Sequence, residues 1–154
     1  MAVNAFDTDG LRWMVTTGDG STSYRIHQEL SVLGYDREAG TLDMVLRFDR
    51  DGGHCLAHRH LTTTTVLVLE GEQHVTDMDP SGPSETKVRR AGEYHLTTGD
   101  PLPHLERGGP EGALVFYGHH TTDGRLYDLV DERGNTFTTV TIDSLVAAWE
   151  SSAR

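Results

Sequence analysis

Two histidines separated by one residue, His58 and His60, have the types and spacing best suited to chemistry in this chain. Side chains alternate between the faces of a β-strand, so both imidazoles would point the same way and can bind one ion. His104 follows Pro101-Leu102-Pro103, which cannot extend a central strand, and we expect it to open a strand that passes beside the pair. The sequence therefore predicts a metal site formed by His58, His60 and His104.

The segments that must position these histidines are short and contain many β-forming residues. Seventeen glycines, many in turn-like contexts, divide the chain. Val, Thr, Leu and Tyr are frequent between the turns, which predicts strands at residues 11–16, 23–28, 41–48, 62–69, 73–78, 86–89, 93–97, 113–117, 126–130 and 136–140. About ten short strands suit a closed barrel or a jelly roll.

The end of the chain has a different period. Ile142, Leu145, Val146 and Trp149 recur at helical spacing, and Thr141 or Asp143 is available as a cap. We expect one short C-terminal helix on the outside of the barrel. At 154 residues the chain is long enough for one domain, which we place at residues 1–154.

The composition of the chain limits the kinds of molecule that it is expected to bind. The net charge of -11 opposes affinity for nucleic acids or an anionic membrane surface and favours a small-molecule ligand. No apolar run approaches the ~18 residues of a membrane span, and residues 1–10 do not resemble a signal peptide, so we expect a cytoplasmic protein. Cys55 is the single cysteine, which excludes an internal disulfide and a Cys-rich zinc module.

The histidine pair lies in a longer pattern. Gly52 precedes His58 by six positions, and Gly71 follows His60 after a threonine-rich apolar run. This pattern resembles the first motif of the cupin superfamily, in which a glycine, His-x-His, a glutamate and a second glycine follow at set distances. A degenerate form of the second motif surrounds His104, with one extra residue before the histidine. Gly92 matches, whereas Thr98, Asp100 and Gly108 stand where the proline, the second glycine and the asparagine are expected.

One departure from the first motif is informative. The position of the metal-binding glutamate falls on Thr64 or Thr65, and threonine is a poor metal ligand. The resemblance implies an all-β, cupin-type barrel, also described as a double-stranded β-helix or jelly roll, with three histidine ligands. The chain is similar to the small single-domain β-diketone dioxygenases of the acetylacetone dioxygenase type, which implies non-heme Fe(II). It also resembles the zinc-binding cupin domain of anti-sigma factors.

Our leading hypothesis is a dioxygenase that chelates a small β-dicarbonyl or hydroxyketone and cleaves a carbon-carbon bond with O2. The alternatives are a non-catalytic metal or small-molecule binding protein that acts as a sensor, and a metal-assisted isomerase or hydrolase. Fe(II) is the expected ion, with Zn, Ni, Mn and Cu as alternatives. We expect a homodimer, with a monomer as the alternative.

Several neighbours are candidates for the substrate pocket or for support of the ligands. By strand parity Thr64, Val66 and Val68 face inward, and Thr64 or Thr65 can hydrogen-bond substrate or water. Val66 and Val68 form either a pocket wall or plain core. Glu106 shares the face of His104, so it either replaces the missing carboxylate or turns to solvent.

Three further residues are open to more than one interpretation. His95 is either a partly exposed residue or a partner of the site. Cys55 has the opposite parity to the histidine pair and is expected to be a structural thiol that points away from the ion. His119-His120 follows a predicted strand and is expected in a loop.

Overall fold

The computed structural model describes residues 2–82 and 84–152. In this part of the chain, ten strands curl into a single antiparallel sheet, and one α-helix follows them. The strands are β1 Met14–Thr17, β2 His27–Asp36, β3 Thr41–Phe48, β4 His58–His60, β5 Thr63–Asp77, β6 Thr86–Arg90, β7 Tyr94–Thr97, β8 His104–His120, β9 Arg125–Val130 and β10 Thr136–Thr141. This architecture confirms the prediction of an all-β fold with a short helix near the C-terminus.

The long strand β8 connects the two parts of the sheet. Neighbouring strands follow the order β1-β2-β3-β8-β4-β9-β10, and β5 pairs with β8, β6 and β7. The short strand β4 lies between β8 and β9, where His58 is directly opposite His104. The sheet topology therefore brings the His-x-His pair and the third histidine together across about 45 residues of sequence.

Strand β5 is continuous where the sequence predicts two strands separated at Glu70-Gly71. The pairing with β8 shifts on both sides of Glu70-Gly71, which marks a bulge rather than a turn. Gly71 has φ +72, and a Cβ there would lie 2.2 Å from the carbonyl oxygen of Gly112. Only glycine fits this close approach, so the residue that suggested a turn instead bends the strand.

Two other strand boundaries differ from the prediction. In place of the strand predicted at 23–28, the structure has a strand at His27–Asp36. The polar Ser31 is fully buried in it and a register shift precedes Gly34, so the alternation of buried apolar and exposed polar side chains is interrupted. The predicted strand at 113–117 is the middle of β8, which begins at His104 as expected and extends to His120. The predicted strand at 62–69 corresponds to the first half of β5.

Helix α1, Ile142–Glu150, packs against β2 and β10. Its buried residues Ile142, Leu145 and Val146 join the apolar core. Thr141 caps the helix by accepting the backbone N–H of Ser144, whose hydroxyl in turn accepts the N–H of Thr141. Among the residues that the structure describes, no helix is long and apolar enough to cross a membrane.

Candidate metal centre

Three buried histidines converge inside the curled sheet. His58 and His60 project from one face of β4, and His104 projects from the start of β8. The ring centroid of His58 lies 4.9 Å from that of His60 and 4.5 Å from that of His104. Each histidine offers a nitrogen to a group whose ligand atoms all lie within 4.8 Å of one another. The structure thus brings the three predicted ligands together.

Hydrogen-bond partners fix the orientation of these rings. Nδ1 of His58 lies 2.9 Å from the carbonyl oxygen of Leu56, so this nitrogen donates and Nε2 is left to bind an ion. Asp100 Oδ2 accepts the backbone N–H of His60 at 2.9 Å and lies 3.4 Å from Nδ1 of His104. Asp100 therefore holds the backbone of one candidate ligand and lies beside the ring of another. This part of Asp100 was not predicted from the sequence.

Glu106 lies inside the sheet and is 2% exposed, so the alternative in which it turns to solvent is wrong. Its Oε1 accepts hydrogen bonds from Nε2 of Gln73 at 2.6 Å and from the hydroxyl of Tyr117 at 2.9 Å. Its Oε2 lies 3.2 Å from Nε2 of His58. Gln73 and Tyr117 hold the carboxylate in place, and neither was predicted.

The second carboxylate oxygen of Glu106 is suited to bind a metal ion. Oε2 is buried, and within residues 2–82 and 84–152 it accepts no hydrogen bond. Two atoms that bind one ion at about 2.1 Å, at a right or tetrahedral angle, lie roughly 3.0–3.4 Å apart. The separation between Oε2 and Nε2 of His58 falls in this range. Oε2 of Glu106 and Nε2 of His58 are therefore spaced as two ligands of one divalent transition metal ion would be.

The electrostatics of the site favour neutral imidazoles at His60 and His104 and an ionised carboxylate at Glu106. Burial and the neighbouring histidines lower the pKa of His60 well below its usual value, and that of His104 to about 4. Burial opposes ionisation of Glu106, but its contacts with His58 and Tyr117 lower its pKa to about 2. His58 differs: burial opposes its protonation, yet contacts with Cys55 and Glu106 raise its pKa above the usual value.

Cys55 is buried behind His58. Its Sγ lies 3.6 Å from Nδ1 of His58 and accepts the backbone N–H of Glu106 at 3.1 Å. Burial raises the pKa of this thiol, which disfavours the thiolate that metal binding requires. A second group of side chains is spaced closely enough to bind one ion, namely Cys55, His58 and Glu106. The thiol, however, contacts Nδ1 of His58, the nitrogen that is hydrogen-bonded to the carbonyl of Leu56.

The threonines and valines of β5 follow the predicted alternation. Thr64, Val66 and Val68 are buried, and Thr65 is half-buried. The hydroxyl of Thr64 lies 3.4 Å from Nδ1 of His60, so Thr64 contacts a ligand although it occupies the position of the missing glutamate. Val68 belongs to the core.

The expectation of a loop at His119-His120 is wrong, because β8 continues through both residues. His119 is fully buried, with its ring centroid 5.9 Å from that of His60. Its Nδ1 lies 3.2 Å from the carbonyl oxygen of Leu42. His119 is two residues after Tyr117 on β8, so both side chains lie on the same face of the strand. This spacing was the signal in the sequence that could have placed His119 on the inner face.

Two cavities border the histidines. The first, about 180 Å³, is mostly apolar and borders His58, His60 and Glu106; its other lining includes Leu30, Met44, Leu46, Leu129, Leu145 and Tyr127. Leu145 and Ala148 of α1 contribute to this wall, so the helix closes a cavity as well as covering the sheet.

The second cavity, about 260 Å³, is more polar and borders His60, His104 and Glu106. Val66 and His95 line this second cavity, although His95 is largely exposed.

Comparison with known proteins gives structural neighbours. No family model and no curated protein matches the sequence. The fold is similar to that of an acetylacetone dioxygenase from Acinetobacter johnsonii, with a TM-score of 0.72 and 12% identity over 99% of this chain and 93% of that one.

Two further solved structures are similar. A cupin 2 conserved barrel domain protein from Rhodopseudomonas palustris has a TM-score of 0.64 and 12% identity, over 87% of each chain. Fe(II)-HppE with an alternative substrate has a TM-score of 0.51 and 16% identity, over 77% of this chain and 59% of that one. With the motifs around His58 and His104, these similarities assign the cupin fold to this chain.

Proposed function

We propose that the protein is a metal-dependent dioxygenase that cleaves a carbon-carbon bond in a small chelating dicarbonyl or hydroxyketone. His58, His60 and His104 would hold Fe(II), and Oε2 of Glu106 would complete the ligand set. The observation that carries the proposal is the convergence of three buried imidazoles. Beside His58 lies a buried oxygen of Glu106 that, among the residues the structure describes, has no hydrogen-bond partner. The similarity to the fold of an acetylacetone dioxygenase and of Fe(II)-HppE supports iron and oxygen chemistry.

A bound ferrous ion would supply Lewis acidity toward a chelated enolate and electrons for the reduction of O2. The protein's contribution is position and environment. The Leu56 carbonyl fixes the orientation of the His58 ring and leaves its Nε2 available, and the Asp100 carboxylate lies beside Nδ1 of His104. Gln73 and Tyr117 donate hydrogen bonds to only one oxygen of Glu106, so its other oxygen is free to face His58.

The apolar cavity explains how water would be kept from the reacting atoms. Leu30, Met44 and Leu46 form a wall beside His58 and His60, and α1 closes it through Leu145. A cavity of about 180 Å³ with this apolar lining suits small apolar groups. Thr64 supports His60 and adds a hydroxyl that can hydrogen-bond a bound molecule or water.

The experiment is anaerobic loading with Fe(II), followed by measurement of O2 uptake with a panel of β-diketones and α-hydroxyketones. We expect uptake by the wild type and by His120→Ala, a variant of an exposed histidine on the same strand. His104→Ala should lose it. O2 uptake no higher than that of His104→Ala would contradict the proposal, and tightly held zinc without uptake would favour the sensor.

A further inference from the structure

The second cavity contains charged residues, and the proposed reaction does not use three of them, Asp77, Lys87 and Arg89. It is bounded by β5, β6, β7 and the segment before His104, and its charged lining residues are Asp77, Lys87, Arg89, Asp100 and Glu106. Two of its walls are the candidate ligands His60 and His104. A molecule in this cavity would therefore touch the metal centre.

Strand register places Arg89 on the inner face of the sheet. Arg89 is paired with Gln73, whose fully buried side chain contacts Glu106 and Tyr117. Directly paired residues of antiparallel strands project to the same side. The next residue, Arg90, is paired with Glu72 and projects to the other face, where it lies 3.9 Å from the Glu72 carboxylate.

Two other carboxylates that line this cavity, those of Asp77 and Asp100, already have partners. Asp77 pairs with Lys87 at 3.5 Å. Asp100 accepts hydrogen bonds from the backbone of His60 and from the hydroxyl of Thr97.

Arg89, in contrast, forms no ion pair with any of the residues the structure describes. Its hydrogen bond runs from Nη1 to Oε1 of Gln73 at 3.4 Å, which leaves most of the five guanidinium N–H donors available. An inward-facing guanidinium without a counter-ion is costly, and a carboxylate is the partner that matches its planar donor pair. His95 lies on the same face of the sheet, paired with Val66, and adds a donor or acceptor to this cavity.

We propose that Arg89 binds the carboxylate of an anionic substrate in this cavity, so that the substrate is an oxo acid that chelates the metal rather than a neutral diketone. This inference rests on the proposed function, because the chelating part of the molecule must reach His60 and His104. The apolar cavity on the other side of the ligands would take the alkyl end. Binding of the substrate carboxylate to Arg89 would determine which end of the substrate enters each cavity.

The test compares two probes on the zinc-loaded protein, which binds without oxidising. Acetylacetone and 2,4-dioxopentanoate share the same 1,3-dicarbonyl, and the second has a carboxylate in place of one methyl group. Calorimetric titration should give a dissociation constant at least about tenfold lower for 2,4-dioxopentanoate, as expected for a charge-assisted hydrogen-bonded pair.

Three variants make the test specific. Arg89→Gln should remove the preference for the carboxylate and change the affinity for acetylacetone by less than about twofold, whereas Arg89→Lys should keep part of it. The exposed neighbour Arg90 supplies the control, and Arg90→Gln should behave as the wild type. Equal affinity of the wild type for both probes, or equal weakening of both by Arg89→Gln, would overturn the inference. Absence of zinc binding would overturn the proposed function itself.

Discussion

Oε2 of Glu106 lies 3.2 Å from Nε2 of His58, across the junction between β8 and β4. In the cupin motif that the sequence resembles, the glutamate follows the His-x-His pair on the same part of the chain. Here that position is Thr64, and the buried carboxylate comes from the strand of the third histidine. We infer that the site keeps a carboxylate while changing the strand that supplies it.

The first prediction concerns this carboxylate. Glu106→Gln should raise the dissociation constant for Zn²⁺ or Fe(II) by about 10- to 100-fold, because a neutral amide replaces a charged oxygen at the site. Chelator competition measures the constant. Glu111→Gln, an exposed substitution on the same strand, serves as control. Unchanged metal affinity in Glu106→Gln would show that the three histidines suffice and that Glu106 does not bind the ion.

Asp100 provides the second prediction. Asp100→Ala removes the acceptor of the His60 backbone N–H and the carboxylate beside His104. The backbone of His60 and the ring of His104 would both be held less firmly, so metal affinity should fall by about tenfold or more. Glu85→Gln, in an exposed position, should leave it unchanged. If Asp100→Ala lowers the unfolding temperature but keeps the metal affinity, Asp100 supports only the fold.

The third prediction concerns the size of the apolar cavity. Leu145→Ala should cost about 2–5 kcal/mol of stability and enlarge the space beside His58 and His60. The ratio of kcat/KM for a longer-chain diketone to that for acetylacetone should therefore rise. Val146→Ala, a core residue of the same helix, should destabilise the protein without changing this ratio. Equal ratios in both variants would mean that α1 does not limit the substrate.

The fourth prediction concerns the loop before the histidine pair. Asp49 forms an ion pair with Arg25 at 2.7 Å and accepts the N–H groups of Asp51 and Gly53, which lowers its pKa to about 2. A lowered pKa in the folded state means that this stabilisation is present above about pH 4 and is lost as the pH falls through 2. Asp49→Asn should therefore cost up to ~1 kcal/mol at pH 7, since the pair is partly exposed.

Urea unfolding at a series of pH values checks this prediction. The difference between wild type and Asp49→Asn should shrink as the pH falls from 4 to 2, while Asp9→Asn, in an exposed position, should match the wild type throughout. A difference that stays constant with pH would assign the effect to packing of the loop rather than to the charge of Asp49.

Strand parity and one proline-rich segment were sufficient to predict which histidines meet. His58 and His60 share a face because they are two residues apart, and His104 begins β8 directly after Pro103. The same parity placed Glu106 on the inner face. These properties depend on local sequence, so a single chain reveals them.

The groups that support the ligands depend instead on strand register, which the local sequence does not fix. Gln73 reaches Glu106 only because β5 continues through the bulge at Gly71, where the sequence indicated a turn. Arg89 faces the same interior because it is paired with Gln73. The homodimer and the single domain stay predictions.

The measurement that tests the central claim most directly is electron paramagnetic resonance of the Fe(II)-loaded protein exposed to nitric oxide. Our account predicts about one iron per chain and a high-spin iron–nitrosyl signal that changes when acetylacetone or 2,4-dioxopentanoate is added, because ligands and substrate share one ion with open positions. His58→Ala and His104→Ala should lack the signal, and His120→Ala should keep it. Iron bound equally by all four proteins, or a signal insensitive to both compounds, would contradict it.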